Sequence, residues 1–266
     1  MRLTTRARGQ RHPASAAGQP MVELVDVHKR FDGNEVLRAV SLTVERGETM
    51  VIMGGSGSGK TVTLRLIAGL IRPSSGLIRV FGERIDTLGE EALLPIRRRM
   101  GYVFQGAALF DSLTVHENVA YPLREHTSLG EAEIHERVLR FLSLVGLGPE
   151  VVGLLPAELS GGMRKRVGIA RALAPEPEML LFDEPTAGLD PTNARVVAEL
   201  IVQLRDGICD SAVVVTHDVE LARTVGDRVA ILIEGRFAAL GPREAVLSSS
   251  DPAVQAFLAG EARVTG

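Results

Sequence analysis

The chain has 266 residues, of which 45% are hydrophobic and 24% charged, with a formal net charge of −3 and a single cysteine. That length suits one large domain or two closely joined subdomains. The near-neutral balance excludes a global basic field for nucleic acid, and one cysteine excludes an intramolecular disulfide and fits a reducing cytosol. No apolar run reaches the roughly 18 residues needed to span a membrane, so a membrane role would have to come through a partner.

Residues 1–20 carry Arg2, Arg6, Arg8 and Arg11 and no acidic residue. Lacking an apolar h-region, they are not a secretory signal. They read as a disordered basic tail, or as sequence ahead of a true start at Met21. Residues 22–53 read as short strands with turns at Asp32-Gly33-Asn34 and Arg46-Gly47-Glu48. Alternation in Val40–Val44 marks a half-buried strand, and the apolar Thr49–Met53 a buried one. After the glycine-rich stretch that follows, Val62–Ala68 has helical spacing, and Gly76–Gly82 reads as another strand. From about 84 to 176 the pattern turns mostly helical, with Ile134, Val138, Leu139, Leu142 and Val145 on one helical face. Met179–Phe182, Ala212–Thr216 and Val229–Ile233 are β-rich runs separated by helical segments at 193–205 and 218–225. That alternation predicts parallel strands joined by crossover helices. A last helix over Asp251–Leu258 takes Asp251 as its N-cap and Pro252 in its first turn. Cys209 has no His or Cys neighbours at metal spacing and reads as an ordinary residue at a helix–strand junction.

The most specific segment is Gly54-Gly55-Ser56-Gly57-Ser58-Gly59-Lys60-Thr61, which fits the phosphate-cradling pattern G-x-x-x-x-G-K-[ST]. The pattern needs a strand before it and a helix after it, and both are present. Glycines let backbone N–H groups point at phosphate oxygens, and the helix N-terminus adds the positive end of its dipole. Lys60 would then reach the β- and γ-phosphates, and the Thr61 hydroxyl would ligate Mg²⁺. The competing reading, a flexible linker that contains Gly-Lys, does not require the apolar strand in front. Met179–Phe182 ends in Asp183-Glu184. Beside a phosphate loop, Asp183 is placed to hold the Mg²⁺ hydration shell and Glu184 to polarise a water for attack on the γ-phosphate. A solvated acidic turn is the alternative. His217 follows the strand Val213–Thr216 and either contacts the γ-phosphate and orients the water or, next to Asp218, caps the following helix.

With Leu159-Ser160-Gly161-Gly162-Met163 between the loop and the Asp-Glu strand end, the chain resembles the ATP-binding-cassette ATPases over about residues 22–245. The resemblance implies an α/β fold: a P-loop NTPase core with an antiparallel β subdomain and an inserted α-helical subdomain. It divides the chain into the tail at 1–20, an ATPase domain at 21–248 with its helical subdomain at about 88–176, and a C-terminal helix and tail at 249–266. It implies ATP and Mg²⁺ as ligands. Phe31 would stack on adenine, unless it is a strand-edge core residue. Gln105, in Gly101-Tyr102-Val103-Phe104-Gln105, would sense Mg²⁺ and the attacking water. Ala187-Gly188-Leu189-Asp190 would be the D-loop. Two subunits would sandwich two ATP molecules head to tail, with Ser160, Gly161 and Gly162 of one facing the γ-phosphate on the other. Two positions depart from the commoner pattern. Val62 stands where many members carry a hydroxyl that touches the α-phosphate, and Met163 replaces a Gln.

Gln105–Phe110, Asn118–Thr127, the Gly-Gly-Met signature and the C-terminal Asp251-Pro252…Phe257-Leu258 segment resemble the lipid-transport ATPases of the Mla/Mce group. That resemblance implies a homodimer of ATPase subunits, an integral-membrane permease dimer, an Mce-domain lipid-binding protein, a small STAS-domain subunit as a further candidate, and no nucleic acid. It places the chain at the cytoplasmic face of the inner membrane, peripheral through the permease. Phe110 and Tyr121 fall where the family docks a permease helix, or else are core residues of the helical subdomain. The alternatives are a polar-solute importer ATPase with the same catalytic residues, and a non-transport ATPase acting on DNA or ribosomes. The latter usually has two cassettes or a long coiled-coil insertion, and neither is here. A P-loop kinase would lack the signature.

Overall fold

The computed structural model describes residues 18–260, with the side chain of Asp206 outside that description. Most of the expected basic tail and the last six residues lie beyond it. β1 (Val22–Phe31) and β2 (Asn34–Val44) form a hairpin through the predicted turn, Phe31 opposite Asn34. Asp32 and Gly33 both take positive φ, as a two-residue turn between right-twisted strands requires. The chain enters β3 (Thr49–Met53), passes through the glycine-rich loop into α1 (Lys60–Ile67), and returns as β4 (Ser75–Val80) and the short β5 (Glu83–Arg84). β1, β2, β4 and β5 make a four-stranded antiparallel sheet.

The region read as helical from 84 is divided. α2 (Glu90–Arg97) is followed by a strand, β6 (Met100–Val103), which pairs in parallel with Met179–Phe182. Four residues are too few for periodicity to declare a strand; the pairing declares it. The buried Leu93 and Ile96 of α2 pack with the β-side core. The inserted helical part therefore begins after Val103, not at 88, and comprises α3 (Val115–His126), α4 (Glu131–Leu144) and α5 (Gly161–Leu173). Thr114 and Glu117 close a capping box at the start of α3. The buried stripe of α4 is Ile134, Val138, Phe141 and Leu142, continued by Val145 at its end, with Leu139 at the margin.

β7 (Met179–Asp183), α6 (Pro191–Gly207), β8 (Ser211–Thr216), α7 (Val219–Val225) and β9 (Arg228–Ile233) follow in the predicted alternation. β10 (Arg236–Pro242) closes antiparallel on β9, ahead of α8 (Arg243–Leu247) and α9 (Pro252–Leu258). Asp251 caps α9 through the amides of Ala253 and Val254, as its sequence predicts. Cys209 is buried between α6 and β8.

The six-stranded sheet runs β10-β9-β3-β8-β7-β6 and is covered on both faces. Its central strands β3, β8 and β7 are buried along their whole length because alternate residues serve different cores, whereas the edge strand β10 is exposed at every second residue. Val51, Met53, Leu180, Phe182, Val214 and Ile231 face the cluster built with α3 to α7. Met50, Ile52, Leu181, Val213, Val215 and Leu232 face the cluster built with α1 and the antiparallel sheet. A one-residue slip of any strand would exchange the two sets.

One polar side chain holds the entrance of the helical part together. Asn118 is fully buried; its Oδ1 accepts from the Phe110 amide at 2.8 Å, and its Nδ2 donates to the carbonyls of Phe110, Leu113 and Thr114 at 3.0–3.1 Å. Asn118→Leu leaves the Phe110 amide and the Leu113 carbonyl without partners, each costing about 1–3 kcal/mol, while the carbonyls of Phe110 and Thr114 keep the amides of Leu113 and residue 118. We expect the urea midpoint to fall by the equivalent of about 2 kcal/mol or more. An unchanged midpoint would show that the loop does not depend on Asn118.

Candidate ATP site

β3, β8 and β7 are adjacent and parallel, with Met53 beside Thr216 and Val215 beside Asp183. Their carboxyl ends therefore deliver the glycine-rich loop, His217 and the Asp183-Glu184 pair to one edge of the sheet. In open α/β sheets ligands bind at this edge.

The loop is shaped by contacts that admit little beyond glycine. Gly59 takes φ 105° as the N-cap of α1, and a Cβ there would lie 2.7 Å from Leu37 of β2. No side chain caps α1, so its first amides remain directed into the loop. The Ser58 hydroxyl is buried without a hydrogen-bond partner. An orphaned buried hydroxyl beside the uncapped start of a helix fits a polyphosphate, which supplies acceptors. Lys60 is 8% exposed; its ammonium donates to the carbonyls of Gly54 and Gly55 at 2.8 and 3.0 Å and lies 3.4 Å from Glu184 Oε1. A buried cation with three oxygen neighbours gives the loop a fixed positive charge.

Thr61, Asp183 and Tyr102 meet because all three lie on the α1 side of the sheet. Thr61 Oγ1 donates to Asp183 Oδ1 at 2.9 Å, and the Tyr102 hydroxyl donates to Oδ2 at 3.2 Å. This hydroxyl–carboxylate set offers only hard oxygen atoms, the donor type Mg²⁺ takes. Tyr102 was not among the residues singled out from the sequence. Its phenol is pushed well above its ordinary pKa, first by burial and then by the Asp183 charge.

Glu184 is 7% exposed and adopts φ 48°. Its Oε2 receives His217 Nδ1 at 3.0 Å, the Thr216 hydroxyl at 3.3 Å and the His217 amide at 3.4 Å. Asp218, not His217, caps α7. The carboxylate is thus aimed by the end of the neighbouring strand. Lys165 of α5, also unforeseen, sits 6% exposed and donates to the carbonyls of Gln105 and Glu184.

Other predicted site residues stand further out. The Gln105 side chain is exposed and makes no hydrogen bond to the group above among the described residues; only its carbonyl is tied in. Phe31 is 42% exposed at the hairpin tip with the Lys29 ammonium 4.6 Å from its ring centre, so it is not a core residue. Val62 is half-buried against the β-side core. Ser160 is the exposed N-cap of α5 and accepts from the Met163 amide at 3.2 Å. Exposed Gly161 lies beside Leu189, and buried Gly162 packs on Asn193. Asp190 caps α6, and both its oxygens are engaged by Asn193, which holds its carboxyl below the ordinary range. Signature and D-loop are therefore joined to each other; among the described residues no hydrogen bond joins them to the phosphate loop.

Residues 37–187 match the model of the ABC transporter family. The probable ribonucleotide transport ATP-binding protein mkl of Mycobacterium tuberculosis is 41% identical over 93% of this chain and 69% of its own length. The intermembrane phospholipid transport system ATP-binding protein MlaF of Escherichia coli K12 is 42% identical over 90% of this chain and 89% of its own. The solved dimeric structure of a post-hydrolysis state of the ATP-binding cassette MJ0796 bound to ADP and Pi is 35% identical, with a TM-score of 0.78 over 84% of this chain and 99% of that one. With the phosphate loop, the Asp-Glu strand end and the signature helix all placed by the fold, the chain belongs to the ABC transporter family and is an ATPase of that family.

Proposed function

We propose that this chain is the ATP-hydrolysing subunit of a membrane transporter that moves phospholipid, working as a homodimer on a permease dimer of the Mla/Mce type. The observation that carries the catalytic half is the Glu184 carboxylate, held by Lys60, Thr216 and His217 at the mouth of the phosphate loop. The amides of residues 54–61 and the Ser58 hydroxyl bind the phosphates. Lys60 offsets their charge. Thr61 and Asp183, with Gln105 entering from its exposed loop, would hold Mg²⁺, which screens phosphate charge and aligns the leaving group. Tyr102 keeps Asp183 in place. Glu184 accepts the proton of the attacking water, and His217 orients both; assistance of this kind is worth about 10²–10⁴ in rate. Phe31 offers the adenine an exposed aromatic face.

The dimer follows from what the signature presents. Ser160 and Gly161 are exposed at the start of a 13-residue helix with no acidic residue in its first turn. That end attracts an anion, and none within the chain meets it among the described residues; the ATP on a second subunit would.

The lipid assignment has separate support: the residues around Gln105 and Asn118, and the likeness to the phospholipid transport protein. No helix of the described residues is long and apolar enough to cross a membrane. A permease at the cytoplasmic face of the inner membrane would then anchor the chain, with an Mce-domain lipid carrier beyond it and a small STAS-domain subunit as a further partner. Phe110 and Tyr121 are the surface we assign to the permease. Each is 44% exposed, their rings lie 5.0 Å apart, and the Arg171 guanidinium stands 5.8 Å from the Phe110 ring centre. Their exposure argues against a core role. A second reading, a polar-solute importer, is favoured by the ribonucleotide transport relative.

The proposal is tested on the purified transporter in proteoliposomes. ATP-driven transfer of a fluorescent phospholipid is expected, and ATP-driven uptake of ribonucleotide instead would establish the second reading. Glu184→Gln should keep nucleotide binding while the hydrolysis rate falls by about 10² or more; retention of a tenth of the rate would remove Glu184 as the base. Ser160→Arg should bind ATP yet fail to dimerise in the Glu184→Gln background, where the chain with its own Ser160 is expected to dimerise on ATP; a Ser160→Arg dimer would refute the head-to-tail arrangement. Phe110→Ala should cost about 2 kcal/mol of permease affinity and leave ATP affinity unchanged. Intact co-purification together with a strongly lowered Tm would make Phe110 a packing residue only.

A further inference from the structure

Lys165 is an unusual group to find inside a protein. Burying an ammonium carries a penalty of several kcal/mol unless a carboxylate pairs with it. Among the described residues no carboxylate oxygen comes within 4.0 Å of its nitrogen, and its partners are two backbone carbonyls, of Gln105 and, at 3.2 Å, of Glu184. Burial pulls its pKa down, against the more distant charges of Glu184 and Asp183.

The carbonyls belong to different elements. Gln105 lies in the loop after β6, and that loop is gripped along one face of α5. Gly168 lies against Ala107, where a Cβ would sit 3.2 Å from the Ala107 methyl. Arg171 donates to the carbonyls of Ala107 and Ala108 at 2.8 and 2.7 Å. Both alanines have positive φ, 61° and 48°, a conformation that persists only when its surroundings enforce it. Residues 165, 168 and 171 recur every three positions and so share a face of the helix. The loop from Gln105 to Ala108 is in this way attached to α5, and Phe110 lies next to it.

Glu184 is the far end of the link. Its φ of 48° is also strained; its amide donates to the Val215 carbonyl at 2.9 Å, and its carbonyl accepts from the Ala187 amide at 3.2 Å and from Lys165. Lys165 is thus a bond from the signature helix and the Gln105 loop to the backbone of the carboxylate that faces the phosphate loop.

We propose that Lys165 is a positioning residue for ATP hydrolysis: it ties the signature helix and the Gln105 loop to the Glu184 backbone, so that displacement of the helical part moves the carboxylate into or out of line. It touches neither nucleotide nor water. The proposal rests on Glu184 being the base.

The test uses the purified transporter with its membrane partner, and compares Lys165→Met, Lys165→Gln and Glu184→Gln. Lys165→Met keeps the length of the stem and removes both hydrogen bonds. Its affinity for a fluorescent ATP analogue and its KM should stay within about twofold of wild type, while kcat falls about tenfold or more. Lys165→Gln, whose amide still donates to a carbonyl, should recover at least about a third of the wild-type kcat. An unchanged kcat in Lys165→Met while Glu184→Gln is inactive would overturn this proposal alone. Normal turnover in Glu184→Gln would remove both it and the reading beneath it. A Lys165→Met variant whose Tm, KM and kcat all deteriorate together, or a Gln variant as slow as the Met variant, would mark a merely structural lysine and equally overturn it.

Discussion

The site depends on the order of three parallel strands. β8 lies between β3 and β7, with Val215 beside Asp183 and Thr216 beside Met53. That register puts the Thr216 hydroxyl and the His217 amide within reach of Glu184, and the Glu184 amide on the Val215 carbonyl. Neither the loop nor the acidic pair needs a dedicated scaffold. The sheet's two-faced burial holds the register, because a slip of one residue would put Met50, Ile52, Val213 and Val215 into the wrong core.

The same edge concentrates ionisable groups in a region that water barely enters. Lys60, Lys165, Asp183 and Glu184 are each less than 9% exposed. Isolated, each would be costly. Together they are satisfied: the Lys60 ammonium by two carbonyls and a carboxylate, the Lys165 ammonium by two carbonyls, Asp183 by two hydroxyls, Glu184 by a hydroxyl, an amide and an imidazole. The interactions also orient. A carboxylate with donors on Oε2 and a cation near Oε1 has little freedom to rotate, and a base must be held before it can act.

Energy from the nucleotide has to leave this edge to be useful. The structure provides a contiguous route through α5, whose N-terminus carries the signature, whose middle grips the Gln105 loop, and whose Arg171 reaches the Phe110 ring. Asn118 holds the other side of Phe110 by its backbone. Under the proposed assignment of the Phe110–Tyr121 pair to the permease, a shift of α5 would reach that surface, since packed elements shift as units rather than deform.

Contiguous chemistry was legible in the sequence. The phosphate loop, the Asp183-Glu184 strand end, the signature at 159–163 and the Asp251 cap each require particular residue types in a fixed local order, and each could be read without knowing what packs against it. The strand–helix alternation of the second half was legible for the same reason, since burial on both faces gives β7, β8 and β9 continuous apolar runs at Met179–Phe182, Ala212–Val215 and Val229–Ile233. What the sequence could not show is what depends on strand order. Tyr102 and Asp183 are 81 residues apart, Thr61 and Asp183 122, and Lys165 and Gln105 60. β6 is four residues whose strand character comes from its partner, so the helical part was placed too early. Phe110 and Tyr121 could also have been core, because an aromatic in a loop or on a helix is identical on paper whether a neighbour covers it or not. Only the tertiary structure, which decides which strand lies beside which and which face a helix turns inward, separates those cases.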